Sequence, residues 1–536
     1  MSGLWTMFRP VSGRVLVSIL IGMVRIAASL LFVWICKALV DIATGVSDLP
    51  LMPHVLLMVG IMLLQLVCGI AASYWENLNI VRSQNSIREE YFSHVMRSEW
   101  GGREAFHSGD TVNRLEEDIQ VVVDMLCSRV PDCIVTACQL VAASIFLLTL
   151  SPNLTWLLIL LMVVAVVGSK MFFTKLRSLT ARIRERDAQI QGYMQENLQH
   201  RVLALTLTGT RRVLSKLGWM QKDLCDATVT RLNYNAVARS FMSFGFMAGY
   251  CAAFLWGIFG IRSGAVTYGM MTAFLQLVGQ VQRPVADLSR HIPAFIKSLT
   301  SVERLMELGD LPLEEQGEPV VLHEAPGIRF EGVSFAYSDS EPKVLSDFSY
   351  DFKPGQTTVI MGLTGAGKST LIRLVMSLLK PSEGTITVYT ETSSFPASPS
   401  LRCNYMYVPQ GNSLMSGTVR ENLLLADPDA DEDKMREALT LAAAEFVFSL
   451  PQGLDTVCSE KGAGLSEGQA QRIAIARALL HEGGVLILDE ATSSLDAETE
   501  RKVLSNVASS YRGRKTILFI SHREAAAGYA DAVLRM

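Results

Sequence analysis

The stretch TTVIMGLTGAGKSTLIRLVMSLL, residues 357–379, decides the fold of the C-terminal half of this chain. Its first five residues are apolar or β-branched, and they predict a buried strand over 357–361. After a glycine-rich loop, the spacing predicts a helix that begins at Ser369 and stops at 380–381, where Lys is followed by Pro. Similar short β-branched runs alternate with helical stretches further along, which is typical of an α/β domain with a largely parallel sheet.

The loop fits the spacing G-x-x-x-x-G-K-[ST] at Gly362, Gly367, Lys368 and Ser369. Glycines in such a loop let backbone N–H groups surround phosphate oxygens, and the lysine reaches the β- and γ-phosphates. The hydroxyl of Ser369 is placed to bind Mg²⁺. The loop therefore predicts a site for a nucleoside triphosphate with Mg²⁺.

A second stretch, GGVLILDEATSSLD at 483–496, supports this prediction. An apolar strand over 485–488 ends in Asp489, a position suited to the Mg²⁺ shell. Glu490 follows as the candidate general base for an attacking water, and its alternative role is to cap a helix. In FISHRE at 519–524, His522 follows a third predicted strand, 516–520, which makes it either a γ-phosphate sensor or a structural histidine.

A third motif, GAGLSEGQAQR at 462–472, predicts a helix that opens at Ser466 between two flanking glycines. The free N–H groups and the positive dipole end of such a helix hold anions. No lysine stands beside this helix start. Which phosphate the helix holds is therefore left open by these residues alone.

The N-terminal half is strongly apolar. The chain has 536 residues, of which 49% are hydrophobic and only 19% are charged, and its mean hydropathy is +0.28. These values indicate a membrane portion. The first apolar run could alternatively be a cleaved signal peptide. However, its apolar core over 15–35 is longer than the core of a signal peptide. Six runs of the length that crosses a bilayer are predicted, at 14–36, 51–74, 133–151, 154–174, 241–261 and 266–282.

The charge distribution orients these spans. The segment 170–239 is basic and the segment 82–129 also carries arginines, whereas 41–54 and 151–153 contain no Lys or Arg. By the positive-inside rule, both chain ends and the two long connections are cytoplasmic. A net charge of −4 gives no basic excess for nucleic acid, and the nine scattered cysteines predict neither disulfides nor a zinc site.

Three domains are predicted from composition. Apolar residues keep helical spacing through 76–100 and 175–204, so the membrane helices should continue into the cytoplasm. Proline, glycine and acidic residues cluster over 308–326, as in a linker. The predicted organisation is a six-span transmembrane domain at 1–310, a linker at 311–326 and a nucleotide-binding domain at 327–536.

Two polar features interrupt the predicted spans. One face of the sixth span is polar, and it faces either a water-filled cavity or another helix. Arg25 lies midway along the first span, where it either attracts an anionic or amphipathic substrate or binds a structural partner such as a backbone carbonyl. The polar face consists of Thr272, Gln276, Gln280, Arg283 and Asp287.

The motifs resemble the nucleotide-binding domain of ATP-binding cassette (ABC) transporters, and the resemblance covers nearly the whole chain. LSEGQ at 465–469 is similar to the signature sequence of the family. In that family two cassettes dimerise head to tail, and the signature helix of one caps the γ-phosphate held by the glycine loop of the other. The resemblance thus implies that the lysine missing beside Ser466 is supplied by a partner.

The resemblance also assigns roles. Tyr337 resembles the aromatic residue that stacks on adenine, Gln410 the glutamine that contacts Mg²⁺ or water, and Asp496 the aspartate at the dimer interface. It implies that Glu490, His522, Lys368 and Gln410 act in catalysis, and that Ser369, Asp489 and Gln410 surround Mg²⁺. The implied ATP contacts are Tyr337, Gly362, Leu363, Thr364, Gly365, Ala366, Gly367, Lys368, Ser369, Thr370, Leu465, Ser466, Gly468, Gln469 and Asp496.

Two departures from the family pattern are visible. Glu467 stands where glycine is most common; we expect its side chain to point aside, and the alternative is that it slows ATP turnover. The chain stops at ADAVLRM, 530–536, before the final strand and tail that usually follow. In the membrane half, 106–126 and 195–207 resemble the two cytoplasmic loops of exporter-type members, whose short helices dock near Gln410.

The resulting interpretation is an ATP-driven half-transporter that works as a dimer in the cell membrane, with its cassette in the cytoplasm. A homodimer is sufficient, and a heterodimer is also compatible. Export of a lipid, drug, peptide or siderophore is favoured. The alternatives are an importer built on the same plan, an ATP-gated channel or regulator, and a soluble motor-like ATPase.

Overall fold

The described residues pack into two compact units. One unit comprises Met1–Phe92 with Asn113–Leu308, and the other comprises Ser93–Val112 with Gly309–Met536. The first is helical and the second is α/β, as expected for a membrane domain followed by a nucleotide-binding domain. The boundaries at 310 and 327 stay a prediction. This computed structural model describes residues 11–100, 108–153, 155–156, 159–161, 164, 167, 173–315, 317–338, 341–363, 365–458 and 464–536.

Long helices make up the N-terminal half. They continue past the apolar runs, because polar residues at helical spacing extend them. Two π-helical turns, Arg114–Asp118 and Met125–Arg129, join three consecutive helices without a break. The described helices are α1 (Ser12–Ala43), α2 (Leu51–Arg97), α3 (Ser108–Asn113), α4 (Ile119–Asp124), α5 (Val130–Leu150), α6 (Phe173–Gln199), α7 (Arg201–Thr206), α8 (Thr210–Arg262) and α9 (Tyr268–Gly309).

Four stretches of described helix are long and apolar enough to cross a membrane. They are Ser12–Ala43, Leu51–Arg97, Gly109–Leu150 and Thr210–Arg262, and they coincide with the first, second, third and fifth predicted spans, the third up to Leu150. The fourth predicted span, 154–174, lies mostly outside the described residues. The sixth lies in α9, which is not among these four stretches because its polar residues lower its hydropathy. The number of six spans therefore stays a prediction.

Close packing of α1 against α5 depends on a glycine. A Cβ on Gly22 would lie 2.4 Å from a methyl carbon of Val135, well inside van der Waals contact. Valine is branched at Cβ and has few alternative rotamers, so it cannot move aside easily. The two helix backbones therefore approach closely only because position 22 has no side chain.

We expect Gly22→Ala to destabilise the membrane half by about 1–3 kcal/mol, because the added methyl overpacks the contact with Val135. The thermal unfolding midpoint of the purified protein in detergent measures this effect. Adding Val135→Ala should restore the midpoint. The control is Gly60→Ala, since a Cβ at Gly60 would have no heavy atom within 4 Å. Equal midpoints for the Gly22 and Gly60 variants would contradict the proposed packing.

The α/β unit contains two main sheets. Five parallel strands in the order β11-β3-β10-β9-β6 form the central sheet, and four antiparallel strands in the order β2-β1-β4-β5 form the second. The strands are β1 (Gly327–Phe335), β2 (Leu345–Phe352), β3 (Thr357–Met361), β4 (Glu383–Tyr389), β5 (Ser394–Pro396), β6 (Tyr405–Val408), β7 (Gly417–Thr418), β8 (Val457–Cys458), β9 (Val485–Asp489), β10 (Thr516–Ile520) and β11 (Ala532–Arg535).

The central sheet positions the motifs. Its strands β3, β9 and β10 are fully or almost fully buried, which explains their continuous apolar sequences. Their carboxyl ends lie at one edge, where ligands of open α/β sheets bind. The helices of this unit are α10 (Lys368–Val375), α11 (Val419–Leu424), α12 (Glu432–Leu441), α13 (Glu467–Leu480) and α14 (Ala497–Tyr511).

The helix after the glycine loop is shorter than predicted. The predicted end at 380–381 is wrong, since α10 already ends at Val375. Ser377 has a left-handed φ of +53°, and the Leu378 N–H donates to the Arg373 carbonyl at 2.9 Å. This closure ends a helix, although serine rather than glycine occupies the left-handed position.

Candidate functional site

The glycine loop connects β3 to α10 through a backbone that requires glycine. Gly365 and Gly367 have φ of +89° and +95°, in the left-handed region that residues with a side chain rarely adopt. Gly367 is also the N-cap of α10, and a Cβ there would lie 3.1 Å from Val344. The spacing of the two glycines therefore reflects backbone geometry. Thr364, a predicted ATP contact, lies outside the described residues.

Lys368 begins α10 and is buried against the loop. Its ammonium donates to the carbonyl oxygens of Gly362 and Leu363, at 2.8 and 3.0 Å. Ser369 follows in the first turn of the helix, where backbone N–H groups have no partner within the helix. The ammonium and these N–H groups together form an arrangement that attracts phosphate oxygens.

Tyr337 is fixed by its hydroxyl. The Oη atom lies 3.0 Å from the Thr370 Oγ1 atom, and Arg373 Nη1 donates to it at 3.0 Å. Its ring packs edge-on against Phe335, with 5.0 Å between the centroids. The structure thereby connects the predicted adenine-stacking residue to the predicted phosphate-loop residue Thr370.

Asp489 ends β9 as a buried carboxylate. Its Oδ1 atom has no hydrogen-bond partner among the described residues. Burial, and to a smaller extent the charge of Glu490, raises the pKa of Asp489 to about 6. A buried carboxylate oxygen without a donor is well suited to binding a cation, so the residue fits the predicted Mg²⁺ position.

The raised pKa makes a prediction about stability. Between about pH 4 and pH 6 the folded state retains a proton on Asp489 that the unfolded state has lost, so stability falls as the pH rises through this interval. At pH 7.5, above both pKa values, the cost is on the order of 3 kcal/mol. We expect Asp489→Asn to raise the thermal unfolding midpoint at pH 7.5, measured in EDTA without nucleotide. The difference from wild type should shrink as the pH falls and vanish below about pH 3.5, where both states carry the proton.

The control is an aspartate with the opposite shift. Hydrogen bonds from the backbone and hydroxyl of Thr499 lower the pKa of Asp496, the N-cap of α14. Asp496→Asn should therefore lower the midpoint at pH 7.5. A lower midpoint for Asp489→Asn as well would show that the Asp489 carboxylate is not strained by burial.

Glu490 lies between the two other predicted catalytic residues. Gln410 Nε2 donates to its Oε2 atom at 2.7 Å, and His522 Nε2 lies 2.8 Å from its Oε1 atom. An ionised carboxylate only accepts hydrogen bonds, so Nε2 of His522 carries the proton. Glu490 has a φ of +50°, an unfavourable conformation for a residue with a side chain and one that clusters at functional sites.

The sheet explains this juxtaposition. β6 and β10 both pair with β9, on opposite sides, so Gln410, Glu490 and His522 follow the carboxyl ends of three adjacent strands. The main-chain N–H of Glu490 also donates to the carbonyl of Ile520 at 3.3 Å. Sequence analysis predicted all three residues separately, and the structure brings them together.

Ser466 is the N-cap of α13. Its Oγ atom accepts from the Gln469 N–H at 3.2 Å, and the Gln469 Oε1 atom accepts from the Ser466 N–H at 2.8 Å. This capping box stabilises the helix start. The N–H groups of Glu467 and Gly468 lie in the first turn, and the Glu467 side chain is exposed. Within the described part of the chain, no hydrogen bond connects this helix start to the glycine loop.

A network that sequence analysis missed holds the loop before Asp496. The Ser494 hydroxyl donates to Gln471 Oε1 at 2.6 Å. The Arg523 guanidinium donates to the main-chain carbonyls of Ser493 and Leu495, at 3.3 Å each. Arg523 also pairs with the buried Glu500. The available signals were the position of Arg523 directly after His522 and that of Glu500 one turn after Asp496.

Part of the polar face on α9 bonds to the first span. Gln280 Nε2 donates to the Ser29 hydroxyl at 2.9 Å, and Gln276 bonds to Cys36. Thr272 bonds to the Tyr268 carbonyl of its own helix. For Gln276 and Gln280 the structure therefore favours contact with another helix over a water-filled cavity. The side chain of Arg283 lies outside the described residues.

Arg25 lines a small polar cavity. The cavity has a volume of about 50 Å³, and the carboxylates of Glu76 and Asp132 also line it. Sequence analysis considered a backbone carbonyl as the structural partner of Arg25, but it missed these acidic residues because they are 51 and 107 positions away. Opposite charges beside Arg25 lower the cost of placing it in an apolar span.

Two family models match the chain. The model described as the ABC transporter transmembrane region matches residues 15–285, and the model described as ABC transporter matches residues 345–493. The first alone covers half of the chain. The two matches follow one another in the order in which the helical and α/β units occur.

Several curated proteins are similar over most of the chain. A putative multidrug export ATP-binding/permease protein of Bacillus subtilis, YgaD, is 27% identical over 98% of this chain and 93% of its own length. The ABC multidrug transporter mdr2 of Aspergillus fumigatus is 29% identical over 88% of this chain and 60% of its own length. A solved structure of a bacterial Atm1-family ABC exporter with ATP bound has a TM-score of 0.79 and 24% identity, covering 98% of this chain and 93% of that one. It supports the fold.

Proposed function

The chain belongs to the ABC transporter family, and from this premise we propose that it is one half of a dimeric exporter that clasps MgATP between two copies of its cassette. Membership makes it a membrane-bound transporter ATPase with a cytoplasmic cassette. The observation that carries the finer proposal is Glu490, held between Gln410 and His522 in a chain that also contains membrane-spanning helices. The proposed boundaries are 1–310, 311–326 and 327–536.

The helix start at Ser466 supports a site shared between two chains. It offers N–H groups to an anion, yet among the described residues no hydrogen bond connects it to the glycine loop of the same chain. In the proposed dimer, Ser466 and Gly468 contact the γ-phosphate bound at Lys368 of the partner copy. Asp496 lies across the same interface, and Tyr337 stacks on adenine. Either a homodimer or a second half-transporter provides such a partner.

Hydrolysis is assigned to Glu490. Both of its oxygens are held by donors at 2.7 and 2.8 Å, which orients the carboxylate, and each oxygen keeps a second lone pair for a proton of the attacking water. In the proposed ATP-bound site, His522 donates its single Nε2–H to a γ-phosphate oxygen in place of the Glu490 Oε1 atom that it contacts here. Lys368 and the N–H groups of the loop stabilise charge on the phosphates.

Mg²⁺ fits the donor set at the carboxyl edge of the sheet. The Asp489 Oδ1 atom has no other partner among the described residues, and Ser369 and Gln410 supply neutral oxygen ligands. When bound, the ion neutralises charge on the phosphate oxygens. The buried Asp489 Oδ1 atom, which has no hydrogen-bond partner among the described residues, would then contact a cation.

Closure of the cassettes is proposed to move the membrane helices through the two cytoplasmic loops, 106–126 and 195–207. The substrate class is proposed to be amphipathic, because a relative matched over 98% of this chain is named for multidrug export and another, matched over 88%, is named a multidrug transporter. The proposed location is the cell membrane.

Reconstitution in proteoliposomes tests the function. We expect ATP-dependent movement of at least one class of cationic, neutral or anionic amphipathic dye, together with stimulation of ATP hydrolysis by the same dye. Movement of dye without ATP would indicate a channel. Hydrolysis that no amphiphile stimulates, with no dye moved, would contradict the proposed substrate class.

A further inference from the structure

The residues directly after α2 contact the helix that follows the glycine loop. Residues 93–112 belong to the C-terminal unit, and the first five of them are the last residues of α2. Just after α2, the Trp100 ring lies under the guanidinium of Arg373, with 4.9 Å between the Arg373 Cζ atom and the ring centroid. The neighbouring Glu99 carboxylate pairs with the Lys380 ammonium at 2.6 Å.

This segment is held in place by the linker. The Glu99 N–H donates to the Pro312 carbonyl at 2.8 Å, and the Glu314 N–H donates to the Arg97 carbonyl at 3.0 Å, so the two segments run antiparallel. Glu314 is fixed in turn by a two-pronged ion pair with Arg402, at 2.6 and 2.7 Å. The main chain just before Trp100 is therefore fixed by hydrogen bonds to the linker.

Arg373 connects Trp100 to the predicted adenine platform. Its Nη1 atom donates to the Tyr337 hydroxyl at 3.0 Å, and the same hydroxyl lies 3.0 Å from Thr370 Oγ1. Thr370 and Arg373 are three residues apart on α10, so they face the same side of the helix. Tyr337 can rotate only if these bonds break, and Arg373 keeps its position partly through Trp100.

We propose that Trp100 is a positioning residue for the nucleotide base, acting through Arg373 on the ring of Tyr337. The inference rests on the proposed function, in which Tyr337 stacks on adenine. It adds that affinity for ATP, and preference for adenine over guanine, depend on the position of the residues that follow α2. Trp100 thereby connects the segment after α2 to the site of the base within the C-terminal unit.

The physical basis is a cation–π contact. Among aromatic side chains tryptophan attracts a guanidinium most strongly. Removing the ring leaves Arg373 free to take other rotamers, so the Tyr337 hydroxyl loses a fixed donor. A ring that only filled space would affect stability without changing the preference between two bases.

The test compares Trp100→Leu with Trp100→Phe in the full-length protein in detergent. We expect Trp100→Leu to raise KM for ATP by about 3- to 10-fold with little change in kcat, and to reduce the ratio of kcat/KM for ATP over GTP. Trp100→Phe should retain most of both values. Arg373→Met removes the other partner of the same contact and should give the same changes in KM and base preference. It serves as the test if Trp100→Leu folds poorly.

Lys380→Met is the matched control. It removes the neighbouring Glu99–Lys380 pair without touching the ring and should leave KM and base preference unchanged. The inference would be overturned if Arg373→Met had the same KM for ATP and the same preference for ATP over GTP as wild type. It would also be overturned if Lys380→Met had an effect as large as that of Trp100→Leu. Tyr337→Leu separates this failure from that of the proposed function: if it leaves KM unchanged, Tyr337 does not bind the base.

Discussion

Glu490→Gln is expected to lower ATP turnover by about 100- to 10,000-fold while ATP still binds. The amide has nearly the same shape as the carboxylate, but it cannot accept a proton from the attacking water. The amide also has only one acceptor oxygen, so it cannot accept in the same way from both Gln410 and His522, which donate to the two carboxylate oxygens. Phosphate release measures turnover, and binding of radiolabelled ATP measures affinity. Both are measured on the same preparation.

The matched control is Glu524→Gln, an exposed glutamate two residues after His522. It makes the same chemical change outside the site and should leave turnover within about twofold of wild type. In proteoliposomes, Glu490→Gln should also stop dye movement. A variant that binds ATP normally and keeps a tenth or more of the wild-type turnover would remove Glu490 from its assigned role.

Lys368→Ala has a different expected effect. It removes the ammonium that lies against the glycine loop, so both ATP affinity and turnover should fall, the latter by about 100-fold or more. Binding of a fluorescent ATP analogue measures affinity, and phosphate release measures turnover. The contrast with Glu490→Gln, which retains binding, separates a phosphate-binding role from a chemical one.

Lys353→Ala is the control for Lys368→Ala. It removes the same charge from an exposed position after β2 and should change neither measurement. If Lys368→Ala bound ATP with wild-type affinity, the glycine loop would not be the phosphate site, and the assignment of Gly362–Ser369 would have to be abandoned.

Local patterns carried much of the fold. The strands Thr357–Met361 and Thr516–Ile520 match their predicted limits, and Ser466 caps a helix where its motif indicated one. Each of these signals lies within a few neighbouring residues, either as a run of β-branched side chains or as a cap. The end of α10 was wrong because Ser377 adopts a left-handed conformation that is usual for glycine and not evident from a serine.

Contacts between distant residues were not predictable in the same way. Nothing in the periodicity of either segment brings Trp100 to Arg373, or Glu76 and Asp132 to Arg25. The polar face of α9 was visible, but choosing between water and another helix required Ser29 and Cys36 of α1. The meeting of Gln410, Glu490 and His522 depends on the strand order β10-β9-β6, which sequence spacing alone does not specify.

The central claim is that ATP is held between the glycine loop of one chain and the Ser466 helix of another. We would replace all nine native cysteines, install Ser369→Cys and Ser466→Cys in one chain, and oxidise the purified protein with and without ATP. A disulfide-linked product of twice the chain mass, increased by ATP and lost on reduction, is the predicted result. A disulfide that forms only within chains of single mass would contradict the claim.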